Sequence, residues 1–330
     1  MSRSIATRNA DAAQRIKALT DKLEAGVKDV FESGAYMEYL KTMSKFHRYS
    51  FRNVILIFIQ FPEASAVAGF QAWKKNFGRT VKKGEHGIQI FAPFTVNELV
   101  YRDKMDKQTM RPIIGPDGMP EKEWVFEKRK TYRPVYVFDI SQTEGKELPT
   151  YTVGELTGDV PFYDRLFSAI EQLSPVEIVF RPPVKAKGSF SSLEQKIYIN
   201  EGMSQIQTIK TAIHETAHAK LHDYGLRGLL EGKEAVKDRQ TREVEAESVA
   251  YVVCQHFGID TSDYSFAYVT SWSRDKELSV LKESLDCIST TAAEFIDSIE
   301  TLCPELSRDL KPTMEASENV FHCETHFATR

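Results

Sequence analysis

The chain has 330 residues, of which 42% are hydrophobic and 27% are charged, with a formal net charge of −4. This globular composition favours two domains, and neither a secretory segment nor an apolar run long enough to cross a bilayer is found. Four widely spaced cysteines without a C-x-x-C pair indicate reduced thiols, so we expect a soluble protein of the cytoplasm with no membrane partner.

The N-terminal domain is predicted over residues 1–140 as a mixture of helices and strands. Apolar residues from Ile16 to Phe31 recur at the spacing of an amphipathic helix. Shorter helical segments are predicted at residues 37–44, 51–61 and 69–77. Residues 54–59 could equally form a buried strand, because so short an apolar run does not distinguish the two. Strands are expected at residues 88–91 and 132–140, with a hairpin insertion over residues 98–133.

The second domain is predicted over residues 161–303, after a linker at residues 141–160 that is rich in Gly, Pro, Thr and Glu. It begins with a helix and two strands that flank a basic, glycine-containing loop. Long helices follow at about residues 204–222 and 238–257. The rest of the domain, to about residue 302, is also predicted to be helical. A tail at residues 304–330 is weakly patterned and is predicted to be poorly ordered. The fold class is therefore α+β, with a small sheet in the second domain.

The motif His-Glu-Thr-Ala-His at residues 214–218 predicts a zinc site on the first of these long helices. Residues four apart share one face of a helix, so His214 and His218 can offer two imidazoles to one Zn²⁺ ion. Glu215 lies beside them, where it can act as the general base for a water that attacks a carbonyl group. The pattern predicts a zinc-dependent peptidase.

A third protein ligand is expected on the next helix, because a catalytic zinc site keeps its fourth position open. Glu243 and Glu247 are four residues apart and share a face. We expect Glu243 as the ligand and Glu247 as the carboxylate that orients a ligand histidine, although the two roles could be exchanged. Glu245 points away from both and is expected to be solvated. His222, one turn beyond the motif, is expected to be a helix-end or supporting residue rather than a ligand.

The charge is unevenly distributed, because residues 41–83 contain nine basic residues and one acid, Glu63. Aromatic residues are interleaved with these cations, as in proteins that bind single-stranded nucleic acid by stacking and phosphate contacts. The same aromatics could instead form the core, with the charges on a solvated face. The candidate DNA-binding residues are Tyr49, Arg52, Trp73, Lys74, Lys75, Arg79, Lys82 and Lys83. Among them, Tyr49 and Trp73 are the candidate stacking residues.

Several of these stretches together resemble a known family. Residues 49–53, 70–73 and 78–88 resemble the N-terminal domain of ArdC-type antirestriction proteins, and this implies binding of single-stranded DNA. Residues 214–218, 243–250 and 268–272 resemble the zincin-like metallopeptidase domain of that family and the related ImmA/IrrE group. Two positions depart from the ImmA/IrrE pattern, Ala217 for Gly and Glu247 for Asn. The resemblance implies no role for the insertion at residues 98–133.

The resemblance implies a protein of a conjugative plasmid or other mobile element that protects incoming single-stranded DNA from restriction. The expected function joins a DNA-binding domain to a zinc peptidase that acts on proteins bound to DNA. One alternative is a protein with a structural zinc that coats DNA or blocks a nuclease. A second alternative is a regulatory protease that cleaves a repressor and needs no DNA itself.

Overall fold

The computed structural model describes residues 5–148, 163–225, 230, 237–259, 261, 263–264 and 266–306. The first three helices are α1 (Ile5–Glu32), α2 (Tyr36–Lys45) and α3 (Phe51–Gln60). The open choice between helix and strand for residues 54–59 is settled as helix, since all of them belong to α3. This helix is apolar on most of its surface because it lies among α1, α2 and a strand of the first sheet.

The rest of the N-terminal domain consists of two small antiparallel sheets and one helix. Its elements are β1 (Val67–Gly69), α4 (Phe70–Phe77), β2 (Arg79–Val81), β3 (Ile88–Asp103), β4 (Lys122–Asp139) and β5 (Thr143–Gly145). The three-stranded sheet has the order β1-β4-β3, and β2 pairs with β5. Strand β5 falls within the predicted linker, so that part of the segment is attached to the N-terminal domain.

The predicted insertion at residues 98–133 continues the two long strands of this sheet. Strands β3 and β4 pair without interruption from Ile88 opposite Val137 to Asp103 opposite Lys122. The strands predicted from sequence were therefore too short, because the outer half of the hairpin mixes apolar with charged residues and has no face that is buried in the core. The base of the hairpin is buried against the helices, whereas in its outer half one face is exposed and the other is mostly half-buried.

The C-terminal domain places a three-stranded sheet beside a layer of helices. Its elements are α5 (Tyr163–Leu173), β6 (Glu177–Arg181), β7 (Gly188–Ser191), β8 (Lys196–Asn200), α6 (Gln205–Leu221), α7 (Arg239–Phe257), α8 (Val269–Ser273) and α9 (Leu278–Leu302). The sheet order is β6-β8-β7, with β6 parallel and β7 antiparallel to β8. Strand β7 lies where the sequence predicted a loop. Its short glycine-containing segment carries too little apolar alternation to indicate a strand.

The hydrophobic core is continuous between the two domains, because α7 lies against α6, α9 and α2. The Tyr36 hydroxyl on α2 is buried and lies 2.8 Å from the Ser248 hydroxyl on α7. On the same helix, His256 Nδ1 is 2.9 Å from the carbonyl oxygen of Ser44, and His256 Nε2 is 2.9 Å from a carboxylate oxygen of Glu300. The helix that carries the predicted third ligand thus also contacts the N-terminal domain.

No helix in the described part of the chain combines the length and apolarity needed to cross a membrane. The three cysteines within the described ranges, Cys254, Cys287 and Cys303, have free thiols, and Cys323 lies outside those ranges. Residues 149–162 of the predicted linker and 307–330 of the predicted tail also lie outside the described residues.

Candidate functional site

Helix α6 presents two imidazoles of the sequence motif to one point. The helix begins after Ser204, whose side chain accepts a hydrogen bond from the backbone N–H of Gln207. Because they lie four residues apart, His214 and His218 project from the same side, and their Nε2 atoms are 3.1 Å apart. Both side chains are mostly buried but open to the surface at 23% and 14% exposure, which leaves room for a ligand.

Glu243 on α7 completes a three-residue group with these histidines. Its Oε2 atom lies 3.6 Å from Nε2 of His214 and 3.6 Å from Nε2 of His218. Tetrahedral zinc with ligand bonds of about 2.0–2.1 Å needs ligand atoms about 3.3 Å apart, so the observed spacings suit such an ion. The neighbouring imidazoles hold the pKa of the Glu243 carboxyl well below its ordinary value. The donor set of two nitrogens and one carboxylate fits zinc and related divalent metals.

Glu215 lies beside this group without joining it. Its side chain is 8% exposed, and burial raises the pKa of its carboxyl above the ordinary value. The backbone of strand β7 lies against it, because a Cβ atom added at Gly188 would be 2.9 Å from Glu215 Cγ. A glycine is therefore needed at position 188 for this strand to approach the motif helix. A buried carboxylate with a raised pKa is suited to accept and return a proton.

A chain of hydrogen bonds holds His218 in place from behind. His218 Nδ1 is 3.0 Å from Nδ1 of His222, and His222 Nε2 is 2.9 Å from a carboxylate oxygen of Glu245. The other oxygen of Glu245 accepts from Lys237 and Ser284, each at 2.8 Å. Burial opposes ionisation of Glu245, but these donors hold the pKa of its carboxyl below the ordinary value.

This arrangement corrects two expectations about the carboxylates of α7. Glu245 is 0% exposed, so the expectation that it is solvated is wrong. Glu247 was expected to orient a ligand histidine, but among the described residues it makes no hydrogen bond to His214 or His218. The orienting contact is made by His222, which Glu245 supports. The sequence signal for this pair was only the position of His222 one turn after the motif.

Two cavities border the ligand histidines and share Gly188 among their lining residues. One has a volume of about 360 Å³ and includes Glu247 and Tyr264. The other has a volume of about 490 Å³ and includes Arg239 and Arg242 from the first turn of α7. The two arginines were not identified from sequence, because nothing in their spacing indicates that they face the motif helix. Both cavities therefore reach His214 and Glu215.

The structure uses several of the predicted DNA-binding residues internally. Trp73 is 1% exposed, and its indole N–H donates to the carbonyl oxygen of Phe138 at 2.8 Å. Tyr49 is half-buried, packs edge-on against Phe46, and has a pKa raised to about 12 by burial. The expectation that Trp73 stacks on bases does not fit its burial in the core. Tyr49 is only partly buried and lines a cavity of about 260 Å³, so its stacking role stays a prediction.

Two of the predicted phosphate contacts are also engaged within the chain. The guanidinium of Arg79 donates to the side chain and carbonyl oxygen of Thr143, at 2.7 and 2.9 Å, and to the carbonyl oxygen of Lys146. Lys82 Nζ donates to the carbonyl oxygen of Ser141 at 2.9 Å. These side chains attach β5 to the domain. The remaining candidates are exposed and make no ion pair with any residue in the described ranges; they are Arg52, Lys74, Lys75 and Lys83.

Comparison with known families identifies two successive domains. Residues 10–138 match the family described as the N-terminal domain of anti-restriction factor ArdC. Residues 172–286 match the family described as the IrrE N-terminal-like domain. The second match contains α6 and α7, which carry the three converging side chains.

Individual relatives cover most of this chain at low identity. The uncharacterized protein pXO2-81 of Bacillus anthracis is 28% identical over 337 residues, which cover 92% of this chain. The match covers 54% of that protein, so this chain spans about half the length of its curated relative. A metal-free crystal structure of antirestriction protein ArdC from plasmid R388 is 21% identical, with a TM-score of 0.46, and the match covers 78% of this chain and 86% of that one. The Mn(II)-bound structure of the same protein is 20% identical with a TM-score of 0.46, covering 76% and 83%.

Proposed function

We propose that this chain, whose two successive domains match the ArdC N-terminal and IrrE-like families, is an ArdC-type antirestriction protein in which a single-stranded-DNA-binding domain carries a zinc-dependent peptidase. The observation that supports this most is the convergence of His214, His218 and Glu243 beside the buried carboxyl of Glu215. The proposed substrate is a protein on or near DNA. The proposed setting is the cytoplasm of a cell that receives a conjugative plasmid or other mobile element.

The proposed chemistry is hydrolysis of a peptide bond. His214, His218 and Glu243 would hold a zinc ion, which supplies Lewis acidity and lowers the pKa of water at the site. Glu215 takes a proton from the attacking water and delivers a proton to the departing amine. Burial supports this role, because it raises the pKa of the Glu215 carboxyl towards the range of an efficient proton carrier. His222 and Glu245 keep His218 in the tautomer that leaves its Nε2 unprotonated.

Strand β7 supports a polypeptide as the substrate. It is one of the two outer strands of the sheet β6-β8-β7, and its first residue, Gly188, lies against Glu215. An extended peptide can add to the free edge of such a strand through backbone hydrogen bonds. The same strand borders both cavities, so a peptide along it has space for side chains on either side of the ligand group.

The proposal is tested by replacing the proton carrier while leaving the metal ligands in place. We expect Glu215→Gln to retain one zinc per chain and to lose hydrolysis of a set of quenched fluorescent peptides. The same variant should lose protection of an unmodified plasmid that is transferred by conjugation into a restricting host. If Glu215→Gln protects the plasmid as well as the unaltered protein does, the zinc is structural and the peptidase proposal is wrong.

DNA dependence is tested separately from hydrolysis. Binding of single- and double-stranded oligonucleotides is measured by fluorescence anisotropy across a salt series, since phosphate contacts make affinity fall with salt. We expect a preference for the single strand that is unchanged in Glu215→Gln. Peptide hydrolysis without any oligonucleotide binding at low salt would contradict the DNA-directed part and favour a protease that cleaves a repressor.

A further inference from the structure

The outer half of the β3–β4 hairpin has one face covered with exposed aromatic and aliphatic side chains, here named the outer face. Residues directly opposite each other in an antiparallel pair lie on the same face of the sheet. Leu99 is paired with Phe126, and Tyr101 is paired with Trp124. Their side chains are 48%, 74%, 54% and 63% exposed, respectively. Tyr132 lies further along the same face and is 54% exposed.

Large exposed aromatic side chains on a monomer surface mark an interaction site when they are grouped. The rings of Tyr101 and Trp124 lie 4.8 Å apart, so they form one continuous aromatic surface. Phe126 follows Trp124 at the two-residue interval that keeps both on the same side of β4. The outer face therefore has an unpartnered aromatic surface in the part of the chain described by the structure.

The charges on the hairpin are sorted by face. Lys128 and Lys130 lie on the outer face, between Phe126 and Tyr132, and are exposed. Neither lysine makes an ion pair with any residue that the structure describes. The carboxylate of Asp103 on this face is neutralised by Lys122, whose Nζ is 3.2 Å away.

On the opposite face, four charged residues form two ion pairs across the strands. Arg129 Nε is 3.1 Å from a carboxylate oxygen of Glu98, and an Arg102 nitrogen is 2.5 Å from one of Glu127. The two faces of one hairpin thus differ in kind. One carries two ion pairs, and the other combines aromatic rings with Lys128 and Lys130, which have no acidic partner among the described residues.

We propose that the outer face binds single-stranded nucleic acid, with Trp124 and Phe126 stacking on unpaired bases and Lys128 and Lys130 contacting phosphates. This rests on the proposed function and names the surface that carries its DNA-binding part. The uncompensated lysines favour a polyanion over an apolar protein partner. Successive residues on one face of a strand are about 7 Å apart, wider than the 3.4 Å spacing of stacked duplex bases. The face therefore suits the separated bases of a single strand.

The first test uses the intrinsic fluorescence of the full-length protein. The chain has three tryptophans, and Trp73 and Trp272 are 1% and 4% exposed, so an added oligonucleotide reaches only Trp124. Titration with a single-stranded oligonucleotide is expected to quench this emission over the same range in which the anisotropy of a labelled oligonucleotide rises. Trp124→Phe keeps a stacking ring, so it should remove the fluorescence change while preserving binding.

The second test compares matched variants of the two faces. The double variant Trp124→Ala/Phe126→Ala is expected to weaken oligonucleotide binding at least about tenfold, because a base on an aromatic ring contributes about 1–3 kcal/mol. Lys128→Glu/Lys130→Glu should weaken binding and reduce the slope of log affinity against log salt by about 1.4. Arg102→Glu/Arg129→Glu makes the same two charge reversals on the opposite face and should bind like the unaltered protein. Circular dichroism and melting temperature verify that each variant is folded.

Three results would overturn the proposal. Unchanged binding by both folded double variants would leave DNA binding intact and exclude the outer face as its surface. Loss of dimerisation in Trp124→Ala/Phe126→Ala, with unchanged DNA affinity, would identify the face as a contact between copies of this chain. Absence of binding by the unaltered protein would contradict both this inference and the DNA-binding part of the proposed function.

Discussion

The substitution Glu245→Gln tests whether the buried hydrogen-bond chain controls the metal centre. Glutamine has the size of glutamate, but it has one oxygen and one NH₂ group where Glu245 has two oxygens. In the structure one oxygen accepts from Lys237 and Ser284, and the other accepts from His222. If the amide oxygen of the new glutamine faces His222, the NH₂ group of that glutamine faces Lys237 and Ser284, which are donors themselves.

In the other orientation, the NH₂ group meets His222, which must then carry its proton on Nδ1. That proton faces Nδ1 of His218, which is only 3.0 Å away. His218 carries a proton on Nδ1 whenever its Nε2 is free to bind a metal, so two N–H groups collide. Neither orientation of the amide satisfies every hydrogen-bond donor. The donors left unpaired determine how much stability the variant loses.

Loss of the charge and of one or two hydrogen bonds at a fully buried site should destabilise the metal-free protein by about 2–4 kcal/mol. Removing the support of a ligand histidine should also weaken zinc binding about 10- to 100-fold. The free energy of unfolding is measured by urea denaturation of the metal-free protein. Zinc affinity is measured by competition with a chromophoric chelator.

Glu247→Gln is the matched control, because it makes the same chemical change two residues along the same helix. Glu247 lies in the cavity beside His214 but makes no hydrogen bond to either ligand histidine among the described residues. We expect its zinc affinity to stay within a few-fold of the unaltered protein. If Glu247→Gln weakens zinc binding while Glu245→Gln does not, the reasoning from the hydrogen-bond chain is refuted.

Three further predictions concern a close contact in the C-terminal domain and hydrogen bonds that stabilise the fold. Gly188→Ala should lower the proposed peptidase activity and cost about 1–3 kcal/mol of stability, because the added methyl group would press on Thr211 and Glu215. Peptide hydrolysis and urea unfolding measure these effects, and unchanged values would contradict the close approach. Asp139→Asn should cost about 2 kcal/mol at pH 7, because backbone hydrogen bonds offset the burial of the carboxylate and lower its pKa. That contribution is present above the ordinary pKa of 3.8 and is lost as the pH falls through the lower folded value, so the deficit should shrink in acid urea titrations. Tyr36→Phe should cost about 1 kcal/mol in urea unfolding, since it removes the buried hydrogen bond to Ser248, and an unchanged midpoint would show that this contact is not stabilising.

Features set by local spacing could be predicted from the sequence. The convergence of His214 and His218 follows from helical geometry alone, because side chains four residues apart must share a face. Glu243 could be proposed as their partner because it follows in the next helix and a third ligand was needed. In the structure these three side chains do lie together. These positions could be predicted from the motif and the following helix, without knowing the arrangement of the sheet.

The surroundings of α7 could not be predicted in the same way. This helix is buried on several sides, so polar residues do not mark a single solvated face. Glu245 looks like a surface residue in the sequence, and only the positions of α6 and α9 show that it meets His222 and Ser284. The aromatics of the N-terminal domain posed the same problem. Trp73 is core and Trp124 is exposed, and composition does not distinguish them.

Helix α7 has a consequence for how such proteins can evolve by recombination. One side of it supplies Glu243 to the metal-ligand group, and another supplies Ser248 and His256 to contacts with α2 of the N-terminal domain. A gene fusion that joined this C-terminal domain to a foreign N-terminal domain would remove the apolar cover of a helix that also carries a predicted metal ligand. Replacing either domain by recombination therefore requires a new domain whose surface packs against its partner at α7. The two domains are inherited most easily as a pair.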